Sequence, residues 1–392
     1  MRIGIFSNCY LPTLNGVVVS IETFRKEMEK RGHEYFIFAP ETKEYKDKNH
    51  SHVFRYPSFT VPGQEYYPLA KPFSTSRAIK DAKKLKLDLI HTQHSLNFGT
   101  VGLRVARALD IPVVHTYHTL IAEYTHYIPL VSSLARKYII ANSRDYCNSC
   151  DQIVTPSSPM KRILRTYGVT SPIESIPTGI SLDGFDDYYH KEILRAKWHI
   201  PEHQKILLYL SRVAKEKNLS FLFKVMRRLV AKRQKKFGRA DVHLILVGGG
   251  PELKYYQQLA LDWGLETHIT FTDMMPKEKA NRFYGAADIY VFPSITETQG
   301  IVITEAMAAG TPVVAVNKMG PTDLIENGVD GYLTSLNIDE FSGKIEKLLD
   351  DRDLRRKMGE KGRENAKKFS SLACALKMET IYEKTISRYA PK

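Results

Sequence analysis

Short apolar runs alternate with amphipathic stretches along the first half of the chain. The apolar runs are rich in β-branched side chains, which predicts strands at residues 2–7, 35–39, 89–93, 113–117, 152–155 and 173–176. Between them, apolar side chains recur at helical spacing in residues 17–30, 99–108 and 133–147. Nearly continuous apolar strands separated by helices form parallel sheets covered on both faces. The first half therefore predicts a doubly wound α/β domain.

The alternation stops at an acidic stretch, residues 183–189, and then starts again. Strands are predicted at 205–211, 242–247, 269–272, 289–292 and 312–316, with helices at 219–232, 252–263, 277–286 and 301–309. We therefore predict two Rossmann-like α/β domains, residues 1–182 and 183–370, and a C-terminal helix in residues 371–392 that packs back on the first domain. Ligands of open α/β sheets bind beyond the carboxyl ends of the strands, so two such domains facing each other would form a cleft with a binding site.

The composition fits this architecture. A chain of 392 residues is longer than one hydrophobic core usually organises, and 43% hydrophobic with 26% charged residues is typical of a globular protein. No apolar run approaches the roughly 20 residues that span a bilayer, and the chain starts in a predicted strand rather than a signal segment. We expect a cytoplasmic protein. The four cysteines agree with a reducing compartment, and we interpret Cys147-x-x-Cys150 as small residues at a helix end because no second metal-ligating pair accompanies it.

The net charge of +14 favours an acidic partner, which could be nucleic acid, an anionic membrane or a phosphorylated substrate. Two basic runs contribute, one at residues 80–86 and one formed by Lys224, Arg227, Arg228, Lys232, Arg233, Lys235, Lys236 and Arg239. Each run by itself is explained by a solvated helix face. Together with the overall charge they favour attraction to anionic lipid.

The most informative motif is TETQGIVITEAMAAGTPVV, residues 296–314, which follows a predicted strand. Glu297 lies in the loop, and Gly300 allows a tight turn into a helix whose first N–H groups, on Gly300, Ile301 and Val302, can bind a ligand. Glu305 follows over one turn further along, in an apolar helix. Helix capping or surface charge could explain both glutamates, but a carboxylate among apolar side chains is costly without a partner. Two such carboxylates can bind the hydroxyls of an extended polyol.

Glu297 and Glu305 match the E-x7-E motif of the family 4 retaining glycosyltransferases of GT-B fold, and the continuation EAMAAGTPVVA is typical of that family. The resemblance covers essentially the whole chain. It implies that Glu297 binds the donor sugar and Glu305 the ribose of a nucleotide sugar.

A second motif, SRVAKEKN at residues 211–218, follows the first strand of the second domain. Arg212 and Lys217 can converge on one dianionic group. A departing nucleoside diphosphate needs such cations because negative charge grows on it as the glycosidic bond breaks. The same R-x4-K spacing binds the diphosphate in the family that the chain resembles.

Metal ions are the other means of neutralising this leaving group. The D-x-D sequence of the chain, Asp351-Arg352-Asp353, lies in the polar helical tail and is better explained by helix capping. We therefore expect no required metal and no cofactor apart from the nucleotide sugar as co-substrate.

The first domain contributes two candidate residues. Gly16 lies at a helix start in a loop that lacks the G-x-G-x-x-G dinucleotide fingerprint, and the resemblance implies that it borders the diphosphate. His118 ends a predicted strand, where a lone histidine is often structural, and His115 and His126 lie nearby. The family has a histidine here that contacts the donor sugar, so His118 is the candidate.

The resemblance implies transfer with retention, by front-face attack in which a phosphate oxygen of the leaving group accepts the proton of the acceptor. Arg212 and Lys217 would stabilise the leaving group while Glu297 and His118 orient the sugar, which makes these four the candidate catalytic residues.

The segment HTYHT, residues 123–128 and Gln299 are similar to bacterial diacylglycerol 3-glucosyltransferases, which use UDP-glucose. This similarity implies a lipid acceptor, and the apolar-aromatic segments at residues 56–62 and 66–69 could enter a bilayer. We expect a peripheral enzyme at the inner face of the cell membrane.

Three alternatives stay open. A glycosyltransferase of the same fold could act on a polysaccharide precursor or a soluble acceptor, and a sugar-nucleotide epimerase could share the fold. A basic nucleic-acid-binding protein would explain the charge, but the chain has no aromatic-interleaved basic motif and the paired glutamates would have no role, so we expect no nucleic acid partner.

Overall fold

The computed structural model describes residues 1–13, 15–42, 45, 47, 52–59, 69–71, 74–120, 132–185 and 189–390. The chain divides into two compact units. The first unit consists of Met1–Gly179 and Ser371–Lys392, and the second of Ile180–Ser370. Each has its own hydrophobic core.

The first unit is built on a seven-stranded sheet in which every strand pair is parallel, in the order β3-β2-β1-β6-β7-β8-β9. Its strands are β1 (Arg2–Phe6), β2 (Glu34–Pro40), β3 (Val53–Tyr56), β6 (Leu89–Thr92), β7 (Val113–Thr116), β8 (Gln152–Thr155) and β9 (Ile173–Ser175), and a separate antiparallel pair is formed by β4 (Ser58–Phe59) and β5 (Leu69–Ala70). The connecting helices are α1 (Gly16–Lys30), α2 (Ser74–Leu85), α3 (Phe98–Leu109), α4 (Ser132–Asn148) and α5 (Ser158–Thr166).

The second unit repeats the plan with a six-stranded parallel sheet in the order β12-β11-β10-β13-β14-β15. Its strands are β10 (Lys205–Leu210), β11 (Val242–Val247), β12 (Ile269–Thr272), β13 (Ile289–Phe292), β14 (Val313–Val316) and β15 (Gly331–Thr334). Its helices are α6 (Lys191–Lys197), α7 (Leu219–Phe237), α8 (Leu253–Asp262), α9 (Lys277–Ala286), α10 (Ile301–Ala308), α11 (Pro321–Leu324), α12 (Ile338–Asp350) and α13 (Arg352–Ala366). Two 3₁₀ turns, Lys215–Lys217 and Lys367–Phe369, complete it.

The last helix, α14 (Ser371–Arg388), belongs to the first unit. It buries Cys374, Met378 and Tyr382 in that unit's core. The Tyr382 hydroxyl is hydrogen-bonded to the Tyr35 hydroxyl at 2.9 Å and to Nδ1 of His91 at 2.6 Å. Apolar packing and a buried polar network therefore both hold α14 in place.

Two doubly wound parallel sheets confirm the predicted fold class. The sequence prediction omitted β3 and β15, which are edge strands of the two sheets. Neither VFRY nor GYLT is a continuous β-branched run, whereas the other two edge strands, β9 and β12, were predicted. Helix α7 also continues to Phe237, five residues beyond its predicted end at 232, because its last turns are held by ion pairs.

Two local interpretations are confirmed. Cys147 lies in the last turn of α4 and Cys150 just beyond it, and both thiols are free and buried. Burial raises the pKa of Cys147 to about 12 and that of Cys150 well above its usual value, as inert thiols require. Asp351 is the N-cap of α13, where its carboxylate accepts a hydrogen bond from the Leu354 amide at 2.9 Å.

Some sequence predictions lie outside the described residues. They include residues 123–128 with His126, most of the apolar-aromatic segments at 56–62 and 66–69, and residues 186–188 of the acidic stretch. Within the described residues, no helix is both long and apolar enough to cross a membrane.

Candidate functional site

The strand order of the second unit marks a place for a ligand. The chain runs from β10 outward to β11 and β12, and then returns to the other side of β10 with β13. Chain connections diverge at such a switch point, which leaves a crevice at the carboxyl ends of the two central strands. The Arg212–Lys217 loop follows β10 and the Glu297 loop follows β13, so the two motifs lie at this crevice.

Side-chain hydrogen bonds join the two loops. The hydroxyls of Ser294 and Thr296 both donate to the backbone carbonyl of Glu216, at 3.3 and 3.2 Å. The Asn218 amide donates to the carbonyl of Pro293 at 3.1 Å. The loops therefore form one local structure in which residues some 80 positions apart hold each other in place.

The structure brings Lys217 and Glu297 together. Lys217 Nζ lies 2.5 Å from Glu297 Oε2, and the side chains are only 16% and 22% exposed. An ion pair at this depth is less screened by solvent than a surface pair.

Arg212 does not share an anion with Lys217 in this structure. Its side chain is 65% exposed and forms an ion pair with Glu216, four residues along the chain. Each of the two cations therefore has its own carboxylate, and the predicted convergence on one group requires Arg212 to leave Glu216.

Glu305 is 3% exposed on α10. One carboxylate oxygen accepts a hydrogen bond of 2.9 Å from the Tyr284 hydroxyl, and the other lies 2.7 Å from Lys277 Nζ. Burial, with a further contribution from Glu305, holds the pKa of Tyr284 well above its usual value, so the phenol stays a donor. These partners offset the desolvation of a carboxylate among apolar side chains.

Gly300 has φ +92°, a conformation that L side chains rarely adopt, and it is the N-cap of α10. Ile301 and Val302 follow in the first turn, where backbone N–H groups have no partner within the helix. Behind the loop, a Cβ on Gly320 would lie 2.2 Å from the carbonyl oxygen of Gln299. Two glycines thus fix the turn that begins this helix.

A further set of glycines, Gly248 to Gly250, lies directly after β11 and was not predicted from the sequence. A Cβ on Gly248 would lie 2.2 Å from the Ser211 carbonyl oxygen, and one on Gly250 would lie 2.1 Å from that of Val213. The backbone after β11 therefore packs directly against the Arg212 loop and supports it. Three glycines after an apolar strand were the available signal.

In the first unit, Gly16 is the first residue of α1, and a Cβ there would meet no atom of the described residues within 4 Å. Asn15 caps this helix by accepting a hydrogen bond from the Val18 amide at 3.0 Å. The start of α1 therefore has open space in front of it within its own unit.

His118 follows β7, and its Nε2 lies 2.7 Å from the side-chain oxygen of Gln93, which follows the neighbouring strand β6. His118 is half-buried and Gln93 is 5% exposed. Desolvation, with smaller contributions from three nearby histidines, lowers the pKa of His118 well below its usual value. Its imidazole is therefore neutral at pH 7.

No group of three or more His, Cys, Asp or Glu side chains suited to a metal ion occurs among the residues that the structure describes. Arg212, Lys217 and Lys277 contribute positive charge at this site. These groups could interact with an anionic ligand.

The family models divide the chain in the same way as the fold. Residues 14–183 match the model described as Glycosyltransferase Family 4, and residues 190–365 match Glycosyl transferases group 1. The chain is 34% identical to an alpha-monoglucosyldiacylglycerol synthase of Streptococcus pneumoniae, an alignment that covers 85% of this chain and 75% of that protein. It is 27% identical to the synthase of the same name from Acholeplasma laidlawii, over 86% and 85% of the two chains.

A GDP-mannose-dependent alpha-mannosyltransferase of Corynebacterium glutamicum is also similar, at 27% identity over 90% of this chain and 81% of that protein. Among solved structures, sucrose-phosphate synthase from Thermosynechococcus elongatus superposes with a TM-score of 0.78 at 21% identity, covering 98% and 99% of the chains. Anabaena HepE in complex with UDP has a TM-score of 0.77 at 16% identity, covering 98% and 100%. From its motifs, fold and relatives, the chain belongs to the family 4 glycosyltransferases of GT-B fold.

Proposed function

We propose that this glycosyltransferase moves glucose from UDP-glucose, with retention of configuration, to diacylglycerol at an anionic membrane surface. The observation that carries the proposal is the Lys217–Glu297 pair at the switch point of the second unit, in a chain 34% identical to a monoglucosyldiacylglycerol synthase. The UDP complex of a protein with the same fold agrees with a uridine nucleotide.

Donor binding would exchange partners within the existing ion pairs. The diphosphate attracts Lys217 and Arg212 away from Glu297 and Glu216, and Glu297 is then available for sugar hydroxyls. Glu305, held by Tyr284, accepts hydrogen bonds from the ribose in place of Lys277. Once this exchange has taken place on donor binding, both cations face the diphosphate before charge grows on the leaving group.

We propose that these cations make a divalent metal unnecessary. For the first unit, the proposed roles are contact of the neutral His118 imidazole with the donor sugar and of the Gly16 helix start with the diphosphate. The acceptor hydroxyl would attack from the face that the leaving group departs, and a phosphate oxygen would take its proton.

Contact with the membrane is better supported for the first unit than for α7. Four of the eight basic residues of the run that lies mainly on α7 are already paired with acidic side chains: Arg228 with Asp339, Lys232 with Glu346, Arg233 with Asp241 and Asp350, and Lys236 with Asp350. On α2, by contrast, Lys80, Lys83 and Lys84 are exposed. On α4, Leu134 and Tyr138 are each 71% exposed and lie one turn apart. Exposed cations and apolar side chains in one domain are typical of surfaces that bind anionic bilayers.

The test supplies UDP-glucose and diacylglycerol in vesicles that contain an anionic lipid, with and without EDTA. We expect glucosyldiacylglycerol whose anomeric proton coupling shows the α configuration, at a rate that EDTA leaves unchanged. A β product, or loss of activity with EDTA that Mg²⁺ restores, would contradict the mechanism.

Two outcomes of the same assay would favour the alternatives. Transfer from GDP-mannose rather than UDP-glucose would agree with the mannosyltransferase relative. Equal transfer to a soluble acceptor, together with vesicle binding that does not depend on lipid charge or salt, would contradict the proposed membrane lipid acceptor. Charge reversal of Lys83 and Lys84 should weaken vesicle binding, whereas Lys235→Glu on α7 is the matched control.

A further inference from the structure

We propose that Gln93 is a positioning residue for donor cleavage, which fixes His118 as the neutral tautomer with its proton on Nε2. The proposal rests on the proposed role of His118 at the donor sugar. Gln93 lies outside the glutamate and arginine–lysine motifs and follows a different strand from His118.

The geometry decides which ring nitrogen carries the proton. The atom 2.7 Å from His118 Nε2 is the amide oxygen of Gln93, and an amide oxygen only accepts hydrogen bonds. The neutral ring must therefore donate from Nε2. Its other nitrogen, Nδ1, keeps a lone pair and makes no hydrogen bond to any described residue.

The surrounding histidines show that the tautomer is set locally. His115 Nδ1 lies 3.0 Å from the backbone carbonyl of Thr92, so His115 is protonated on Nδ1, the opposite nitrogen. His94 Nδ1 accepts from the Asn8 amide at 3.1 Å. The tautomer of each ring is therefore determined by its own hydrogen-bond partner.

Gln93 is suited to this task because it cannot move far. It is 5% exposed, and its backbone N–H donates to the Phe6 carbonyl of β1 at 2.9 Å. Strands β6 and β7 are paired in parallel up to Thr92 and His115, so the residues that follow them leave the sheet side by side. A sugar hydroxyl would then find His118 Nδ1 as an acceptor in a fixed orientation.

The titratable groups that act on His118 are His91, His94 and His115, and all three have lowered pKa values, to about 3, 4 and 3. None of the groups that shift the pKa of His118 is a lysine or arginine. A carboxylate in place of Gln93 would favour the imidazolium, in which Nδ1 donates instead of accepting.

The experiment measures UDP-glucose hydrolysis without any acceptor, as a function of pH, for the wild type, Gln93→Glu and Gln93→Leu. We expect wild-type turnover to be flat from pH 8.5 to 6. The turnover of Gln93→Glu should fall about tenfold per pH unit below the raised pKa of His118, because only the neutral imidazole accepts a hydrogen bond. Gln93→Leu should lose about tenfold at every pH, because the buried Nε2–H loses its acceptor.

Two controls separate positioning from stability. Gln152→Glu makes the same substitution at a buried glutamine of the same sheet, at the start of β8, and should lower thermal stability without creating an acid limb. In a His118→Gln background, Gln93→Glu should no longer introduce pH dependence. The proposal would be overturned if Gln93→Glu still lost hydrolysis activity at low pH in the His118→Gln background. It would also be overturned if the pH dependence of Gln93→Glu were parallel to that of the wild type.

A second readout does not depend on activity. Nitrogen-15 NMR of full-length protein labelled at histidine, with the His118 signals assigned through His118→Gln, reports which ring nitrogen is protonated. We expect a protonated Nε2 in the wild type and loss of that preference in Gln93→Leu. A wild type protonated on Nδ1 would refute the inference, whereas a correct tautomer without any turnover of UDP-glucose would refute the proposed donor and leave the inference standing.

Discussion

The carboxyl edges of the two sheets are built from the same topology but from opposite kinds of side chain. At the edge of the second unit, charged groups are paired with each other: Lys217 with Glu297, Arg212 with Glu216, and Lys277 with Glu305. At the edge of the first unit, His91, His94, His115 and His118 have lowered pKa values and are neutral at pH 7. Burial is the main cause of each of these four shifts.

This difference separates two tasks of a glycosyl transfer. An edge of exchangeable ion pairs can neutralise a nucleoside diphosphate, because its cations are in place before charge develops. An edge of neutral imidazoles and amides can bind hydroxyl groups without attracting the diphosphate. The doubly wound fold provides both edges, and the side chains after the strands decide which task each edge can perform.

The largest expected effect is at the charged edge. Lys217→Ala should lower kcat for UDP-glucose turnover by about 10²- to 10³-fold, because a preorganised charge opposite the leaving group is lost. Steady-state kinetics with varied donor measure it. Lys215→Ala, two residues away in the same 3₁₀ turn with an exposed side chain, is the matched control and should be near wild type. Equal rates in the two variants would show that the charged edge is not the donor site.

Acidification should lower the stability of the first unit more than that of the second, because of its buried neutral histidines. His91 and His115 have pKa values of about 3 and His94 of about 4, below the value near 6.5 in an unfolded chain. The folded state therefore binds fewer protons, so its stability is complete above about pH 6.5 and falls as the pH drops toward the folded pKa values. Each histidine should remove up to about 1.4 kcal/mol per pH unit in that window.

The two tryptophans make this prediction measurable, because Trp198 and Trp263 both belong to the second unit. Among the described histidines of that unit, His243 has a lowered pKa, about 4. Between pH 7.5 and 5.5, urea unfolding followed by circular dichroism should shift to lower urea more than unfolding followed by tryptophan fluorescence. Identical shifts by both probes would contradict the unequal acid sensitivity of the units.

The smallest effect concerns the orientation of Glu305. Tyr284→Phe removes one hydrogen bond to this buried carboxylate and should raise the donor KM about 5- to 10-fold with little change in kcat. Tyr256→Phe is the control, since the Tyr256 hydroxyl bonds to neutral Ser220 at 3.0 Å in the same unit. It should affect stability but leave the donor KM unchanged. If Tyr256→Phe raised the donor KM more than Tyr284→Phe does, the assignment of Glu305 to the donor site would be contradicted.

Much of the fold followed from the spacing of apolar residues. The predicted strands at 152–155, 242–247 and 289–292 agree with the structure to the residue, because interior strands of a parallel sheet are apolar on both faces. The edge strand at 269–272 was also predicted to the residue. Strands β3 and β15 were missed because VFRY and GYLT are not continuous β-branched runs. The role of Gly248 to Gly250 was also missed, since the carbonyl groups they pack against, on Ser211 and Val213, are distant in sequence.

The candidate site shows the same division. The family motif identified Glu297, Glu305, Arg212 and Lys217 as a set. Their roles stay predictions, as do those of Gly16, His118, Gly300, Ile301 and Val302. Spacing could not show that Lys217 holds Glu297 while Arg212 holds Glu216, because which carboxylate a cation meets depends on how the two loops pack.

By itself, the sequence determined two doubly wound units and the chemical groups that follow their central strands, because local periodicity and short motifs encode both. Only the tertiary structure decided which groups meet. Gln93 and His118 are 25 residues apart, and Lys217 and Glu297 are 80 apart. In each pair the two residues follow strands that are neighbours in a sheet, and the order of strands in a sheet is set by long-range packing rather than by any local pattern.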